Sequence, residues 1–192
     1  MLAVGTKVRT QYGIGYVVEA YHKACYVELT NGKIYRLAYD EVSKVVVERR
    51  FYKVDGAPED TMLPKRATKF SAGYDFYAPC DITVPEYGDS GLIFLNVKAQ
   101  MLPDEYLQLI IRSSLAVKRN LTLETSGVID ADYFSNEDND GNIGIKLRNH
   151  AGEFVYIRKG ERICQGIFMK YLLTDDDDVD GERTGGYGSS GK

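Results

Sequence analysis

Apolar residues in this chain of 192 come in short runs broken by Gly, Pro, Asp and Asn, and no long amphipathic helix can be drawn through them. Strand-like runs fall at Ile82–Val84, Leu92–Val97, Tyr106–Ile111, Leu121–Glu124, Ile143–Leu147, Phe154–Ile157 and Ile163–Tyr171. Only Ser113–Arg119 invites a helix, and a short one. A short strand cannot bury its apolar face alone. Many of them, joined by tight turns, pack sheet on sheet, which predicts an all-β chain built as a sandwich or barrel.

Residues 1–47 alternate apolar and polar over still shorter stretches: Lys7-Val-Arg-Thr, Tyr16-Val-Val-Glu, Cys25-Tyr-Val-Glu-Leu and Ile34-Tyr-Arg-Leu. Asn31-Gly32 between two of them predicts a β-hairpin, because both residues accept the positive φ of a tight turn. We read 1–47 as a small accessory β-barrel of four or five strands, similar in pattern to Tudor-like modules. Residues 48–64, broken by Gly56-Ala-Pro58, are read as a linker, 65–174 as the main β domain, and 175–192 as a mobile C-terminal arm. Asp175–Asp178 and Asp180 repel one another and extend the chain ahead of that arm.

At 44% hydrophobic, the chain can bury one medium core and something small. No stretch is long and apolar enough to span a bilayer, and the first residues lack a secretory pattern. The expectation is a cytoplasmic protein, or one of a host cytoplasm if the source is viral, with no membrane partner. Three cysteines, Cys25, Cys80 and Cys164, and two histidines, His22 and His150, have no metal-ligand spacing. The sparse, odd cysteine count suits a reducing compartment. Residues 1–50 hold eight Lys/Arg against five Asp/Glu, leaving 16 against 23 in the remainder. The acidic main body is a poor general coat for nucleic acid. The basic first segment leaves a protein or a nucleic acid open as its partner.

The last ten residues read Arg183-Thr-Gly-Gly-Tyr-Gly-Ser-Ser-Gly-Lys192. Four glycines let backbone N–H groups converge on one point, and Arg183, Ser189, Ser190 and Lys192 add donors for phosphate oxygens. Gly186–Lys192 spells GxxxxGK, but no strand leads into it, so the P-loop interpretation fails on context. Most Gly/Ser-rich ends are plain tails. An Arg and the flat face of Tyr187 among the glycines mark this one as an arm that closes over a nucleotide, given a site elsewhere in the chain.

Four further segments stand in a fixed order: Ser71-Ala-Gly-Tyr-Asp-Phe-Tyr-Ala78, Ile111-Arg-Ser-Ser-Leu-Ala116, Gly127-Val-Ile-Asp-Ala-Asp-Tyr133 and Gly160-Glu-Arg-Ile-Cys-Gln165. Together with the arm they resemble the five motifs of the trimeric dUTPase family, over residues 65–192. The resemblance does not reach 1–47. It implies a jelly-roll-like β core, a homotrimer with active sites at subunit interfaces, and Mg²⁺-assisted hydrolysis of dUTP to dUMP and pyrophosphate. That reaction lowers dUTP and supplies dUMP for thymidylate synthesis.

The family's catalytic Asp falls on Asp130, which implies a general base that orients and deprotonates a water aimed at the α-phosphorus. Asp132 is the neighbouring carboxylate, better suited to a turn or to solvent. Tyr133 would lie under the deoxyribose and leave no room for a 2′-hydroxyl. The chain between Leu121 and Leu147 resembles the hairpin whose backbone reads uracil, with Gly127 and Gly144 where backbone approaches the ligand. A cytosine there would leave buried donors and acceptors unmatched. Arg112, Ser113 and Ser114 would hold α/β-phosphate oxygens, Ser113 doubling as an N-cap. Gln165 matches a phosphate-facing glutamine, and Arg162 suits a structural ion pair. Asp75 would support the metal's water shell, an internal salt bridge being the alternative. In the arm, Arg183, Gly188, Ser189 and Ser190 would grip the γ-phosphate and Tyr187 would stack on uracil.

Two departures stand out. Phe134-Ser-Asn-Glu-Asp-Asn-Asp-Gly141 is longer and more acidic than the family's usual turn. Ser190 and Tyr187 replace a frequent Thr and Phe, with the chemistry kept. Two alternatives remain open: a dCTP deaminase of the same fold, and a nucleotide-responsive regulatory or binding protein acting through residues 1–47.

Overall fold

The computed structural model describes all residues except 1, 30, 45–48, 126, 180, 182, 184 and 187–192. The chain divides into two compact units, Met1–Val47 and Glu48–Lys192. The first contains β1 (Lys7–Thr10), β2 (Gly13–Ala20), β3 (Ala24–Leu29), β4 (Ile34–Ala38) and β5 (Ser43–Lys44). They form one antiparallel sheet in the order β4-β3-β2-β1-β5. Alternation turns Val8, Val17, Cys25, Val27 and Leu37 to one side, where they make a small core. A bulge between Val17 and Glu19 bends β2 over it. The hairpin expected at Asn31-Gly32 joins β3 to β4: Gly32 takes φ +77°, and its N–H donates to the Leu29 carbonyl at 2.9 Å.

The second unit runs β6 (Arg50–Lys53), β7 (Lys65–Arg66), β8 (Tyr74–Tyr77), β9 (Ile82–Val84), β10 (Asp89–Phe94), β11 (Val97–Gln100) and β12 (Glu105–Ile111). There follow α1 (Ser113–Arg119), β13 (Leu121–Leu123), β14 (Val128–Asp130), β15 (Gly144–Asn149), β16 (Val155–Ile157) and β17 (Arg162–Lys170). The largest sheet has the order β14-β12-β17-β8-β7, a second β10-β15-β13, and the pairs β11-β6 and β16-β9 complete the unit. Distant parts of the chain lie side by side, giving the all-β, jelly-roll-like architecture expected.

The core lies between these sheets. In β12, Leu107 and Leu109 point inward against Phe76, Ile145, Leu147 and Ile163, while Tyr106, Gln108 and Ile110 point outward. Glu105 also points inward, at 2% exposure, because both its oxygens accept from Arg49 and one also accepts the Leu102 N–H. On the outward face the register sets Tyr106 beside Met169, and Gln108 between Val128 and Ile167, so this surface is largely apolar.

One boundary needs correction. Residues 48–64, read as a linker, begin with a strand of the fold. β6 pairs with β11, Phe51 opposite Ala99, and the Phe51 ring packs edge-on against Phe76 at 5.3 Å. A four-residue strand with one inward apolar side chain, between Arg50 and Tyr52, leaves no periodic trace. The expected helix forms as α1, with Arg112 rather than Ser113 at its N-cap. Asn120 ends it in the left-handed region, its N–H donating to Leu115.

Candidate active site

Two clusters of chemistry sit at the two ends of β12. At the first, β14 delivers Asp130 opposite Tyr106, and the chain then tightens into a single 3-10 turn, Ala131–Tyr133. Asp130 and Asp132 are half-exposed, facing a cleft of about 500 Å³ lined also by Met101, Pro103, Ala131 and Tyr171. Burial, followed by the fields of Asp130, Asp104 and Asp132, pushes the Tyr171 hydroxyl above its ordinary pKa. Tyr133 is buried, its hydroxyl donating to the Asn142 carbonyl at 3.0 Å and accepting from Asn139 Nδ2 at 2.7 Å. Such a ring is a rigid floor.

Gly127 enters this strand at φ +71°, its carbonyl accepting the Leu109 N–H at 2.6 Å. A Cβ there would lie 2.5 Å from the Leu109 carbonyl oxygen, so only glycine lets β14 close onto β12. Gly144 opens β15 opposite Phe94, in the other sheet. Gly127 thus bonds to β12 and Gly144 to β10, so the two glycines lie in different sheets. The hairpin itself is β13 against β15, Leu123 opposite Leu147, ending where the Glu124 N–H donates to Lys146. Thr125 Oγ1, just beyond, is buried without a hydrogen-bond partner among the described residues.

Between Tyr133 and β15 the acidic segment folds back on itself. Asn136 Oδ1 accepts the N–H groups of Asp138 and Asn139. Asn136 Nδ2 donates to the Tyr133 carbonyl at 2.8 Å. Asp140 accepts from Lys98 Nζ at 2.6 Å and from the Asp55 N–H at 2.9 Å. Burial raises the Asp140 carboxyl, but Lys98 and the Asp55 amide outweigh it and hold the group below its ordinary value. The longer, acidic turn is braced by these bonds.

The arm meets this end. Arg183 sets Nη2 on Asp130 at 2.7 Å and Nε on Asp132 at 2.9 Å, with the guanidinium 5.7 Å from the centre of the Tyr133 ring. Arg183 was expected on a γ-phosphate; in this structure it lies on carboxylates. Tyr187, Gly188, Ser189 and Ser190 lie outside the described residues.

The other end of β12 is basic. Arg112 follows Ile111 and, with Ser114, Lys118, Arg119, Glu161 and Arg162, borders a pocket of about 670 Å³. Ser113 is exposed and is not among its lining residues. Behind this pocket Asp75 is 1% exposed. Its Oδ1 faces Arg112 Nε at 3.1 Å and accepts from Gln165 Nε2 at 3.0 Å, while Oδ2 accepts from Arg162 at 3.1 Å. Asp75 thus does not fit a metal's water shell: both oxygens are taken by protein donors. It is the internal salt bridge, and Gln165 supports it instead of projecting freely toward a phosphate. Among the described residues no three His, Cys, Asp or Glu side chains are grouped to hold a metal ion. Sequence reasoning missed Lys118 and Arg119, which carried no signal beyond a basic end on a short helix. Cys164 is fully buried beside Asp75; burial first, and that carboxylate second, push its thiol far up.

Six residue steps along the strand lead from Tyr106, beside Asp130, to Arg112. At ~3.3 Å per residue that is about 20 Å, longer than a triphosphate tail can bridge with its base and sugar at one end.

Fold and site define an all-β protein with a basic cluster at one end of β12 and a carboxylate cluster at the other. A family model described as dUTPase matches residues 59–191. The deoxyuridine 5'-triphosphate nucleotidohydrolase of Lactococcus lactis is 45% identical over 132 residues, covering 67% of this chain and 87% of that protein. The protein of that name from Debaryomyces hansenii is 35% identical over 141 residues, covering 70% and 83%. Among solved structures, the dUTPase of Streptococcus mutans matches with TM-score 0.62 at 38% identity, over 66% of this chain and 99% of that one. A dUTPase mutant from S. aureus phage phi11, described with a structural Mg(II) ion, shares the fold at TM-score 0.56 and 20% identity, over 70% of this chain and 97% of that one. The chain therefore belongs to the dUTPase family.

Proposed function

We propose that this chain hydrolyses dUTP to dUMP and pyrophosphate, with Asp130 as the general base. What carries this is the seat of Asp130: a half-exposed carboxylate in a cleft, one turn from a buried tyrosine floor, inside the segment matched to the family. A water held by Asp130 would attack the α-phosphorus. The new bond is water oxygen to α-phosphorus, the bond broken is α-phosphorus to the bridging oxygen, pyrophosphate leaves, and Asp130 takes the proton. Tyr133 would exclude the ribose hydroxyl by contact. Uracil would be read by backbone at the open end of the β13–β15 hairpin. Mg²⁺ would be carried by the substrate's phosphate oxygens, since Asp75 does not fit it, and would neutralise charge there.

The 20 Å between the clusters supports a site assembled from two subunits, Arg112 and Ser114 of one facing Asp130 of another (about 20 Å from strand geometry). The apolar outward face of β14, β12 and β17 supports burial against further copies, a homotrimer by family likeness. Chromatography of products from dUTP, dCTP, dTTP and UTP with Mg²⁺ tests the chemistry. Selective formation of dUMP and pyrophosphate is expected; deamination of dCTP would move the chain to the sister activity. Mixing Asp130→Asn with Arg112→Ala protein, each inactive alone, tests the sharing. Recovered turnover on subunit exchange is expected, and a mixture as dead as its parts would refute a shared site.

A further inference from the structure

The family match begins at residue 59 and leaves the first unit without a role. That unit holds six of the chain's 15 tyrosines and no Phe or Trp. A small core gains most from large rings. This one is built instead of Val, Cys and Leu, and none of the six tyrosines is buried in it. Three of them have a local use: Tyr12 stacks on Tyr35 at 4.4 Å, and Tyr35 and Tyr39 pack on the margin of the core. Tyr16, Tyr26 and Tyr21 do not. Alternation turns Tyr16 of β2 and Tyr26 of β3 to the side away from the core. Tyr16 lies opposite Glu28, and Tyr26 comes two residues before it, so the two rings are diagonal neighbours. Tyr21 leans edge-on against Tyr26 at 6.0 Å. Its hydroxyl donates to Glu19 at 2.7 Å, and its carbonyl accepts from the Tyr39 hydroxyl at 2.8 Å. Cations stand on both margins of this stripe of rings. On β1, Lys7 is opposite Tyr16 with Nζ 5.4 Å from the ring centre, and Arg9 follows two residues on. On β4, Arg36 is opposite Tyr26. Arg9 and Arg36 are exposed and make no ion pair among the described residues.

We propose that this outward face of β1 to β4 binds single-stranded nucleic acid without sequence preference. Bases stack on Tyr16 and Tyr26, with Tyr21 bracing the second ring, and the phosphates run along Lys7, Arg9 and Arg36. Every base has a flat face, so rings held open on a sheet accept a strand of any sequence. Cations at the margins supply the electrostatic part of the affinity. Glu19 and Glu28 share the face and set its selectivity. They oppose a ligand that offers negative charge alone. A duplex hides the faces of its bases, and an acidic protein has none to stack, so neither recovers that cost on the tyrosines.

The test uses the full chain and a short fluorescein-labelled oligothymidylate, read by fluorescence anisotropy between about 50 and 200 mM salt. Binding is expected, with log affinity falling against log salt at a slope of about −2, three cations at about 0.7 each. Tyr16→Ser combined with Tyr26→Ser should weaken it about tenfold or more and leave the slope alone. Tyr16→Phe combined with Tyr26→Phe keeps both rings and should bind like wild type, which separates lost stacking from a damaged sheet. Arg9→Gln combined with Arg36→Gln should flatten the slope to about −0.7. Turnover of dUTP should stay within about twofold in all of them, because none of these residues belongs to the second unit. No anisotropy change at the lowest salt would overturn the proposal. So would serine variants that bind like wild type, or phenylalanine variants as weak as the serine ones. Competition by a duplex or by polyglutamate as effective as that of the unlabelled strand would also overturn it, and polyglutamate would point to an acidic protein as the partner.

Discussion

The two ends of β12 solve opposite problems. At the basic end, Arg112 and Arg162 are aimed by a carboxylate locked in the interior, so both guanidiniums rest on a buried anchor. At the acidic end, Asp130 and Asp132 stand half-exposed and are paired, among the described residues, with a guanidinium from the arm. A binding group gains from being fixed beforehand. A base must be able to change partners. The contrast teaches that the same ion-pair chemistry is made permanent by burial and exchangeable by exposure.

Removing the carboxylate proposed as the base should break the comparison most deeply. Asp130→Asn is expected to lose about a thousandfold in kcat with the fold intact, measured by pyrophosphate release. Next is the anchor. Asp75→Ala leaves two guanidiniums facing a buried gap and should cost about 3 kcal/mol in denaturant unfolding. The same change at exposed Asp132 should cost well under 1 kcal/mol. If Asp75→Ala melted like wild type, the distinction between permanent and exchangeable pairs would be lost.

The brace between the ends sharpens the picture further. The Asp140 carboxyl is held below its ordinary value, so the stability it contributes is present above the unfolded-state carboxylate pKa and is lost as pH falls through the lower folded one. Asp140→Asn should cost about 1–2 kcal/mol at neutral pH, with the gap to wild type closing in acid, read from melts across pH. The smallest effect is expected from deleting residues 1–47: kcat and KM on dUTP within about twofold of the full chain, if neither end of β12 depends on the first unit.

How much of this could be read beforehand follows the same division. Strands long enough to alternate, such as Tyr106–Ile111, announced themselves, as did the helix after Arg112. β6 did not, because a single inward Phe51 makes no period. Asp130 and Tyr133 were legible because their neighbours in sequence are also their neighbours in space. Asp75 was legible only as one of two alternatives: Arg112 and Arg162 lie 37 and 87 residues away, and nothing local says that its oxygens turn inward. The seat of Arg183 was hidden for the same reason, since a basic residue in a glycine-rich arm suggests phosphate until the carboxylates beneath it are seen. The acidic run 134–141 showed by composition only that it was long and acidic. Its bracing by Lys98, 42 residues upstream of Asp140, is a fact of three dimensions.

The three thiols make the protein its own clock. Cys80 is exposed, while Cys25 lies in the core of the first unit and Cys164 in that of the second. Burial raises both inner thiols and keeps them from reacting as thiolates while their surroundings stay closed. An alkylating reagent should therefore mark Cys80 at once. Each of the others should be marked only as fast as its own unit opens. Two labelling rates on one polypeptide would show whether the halves unfold together or one at a time.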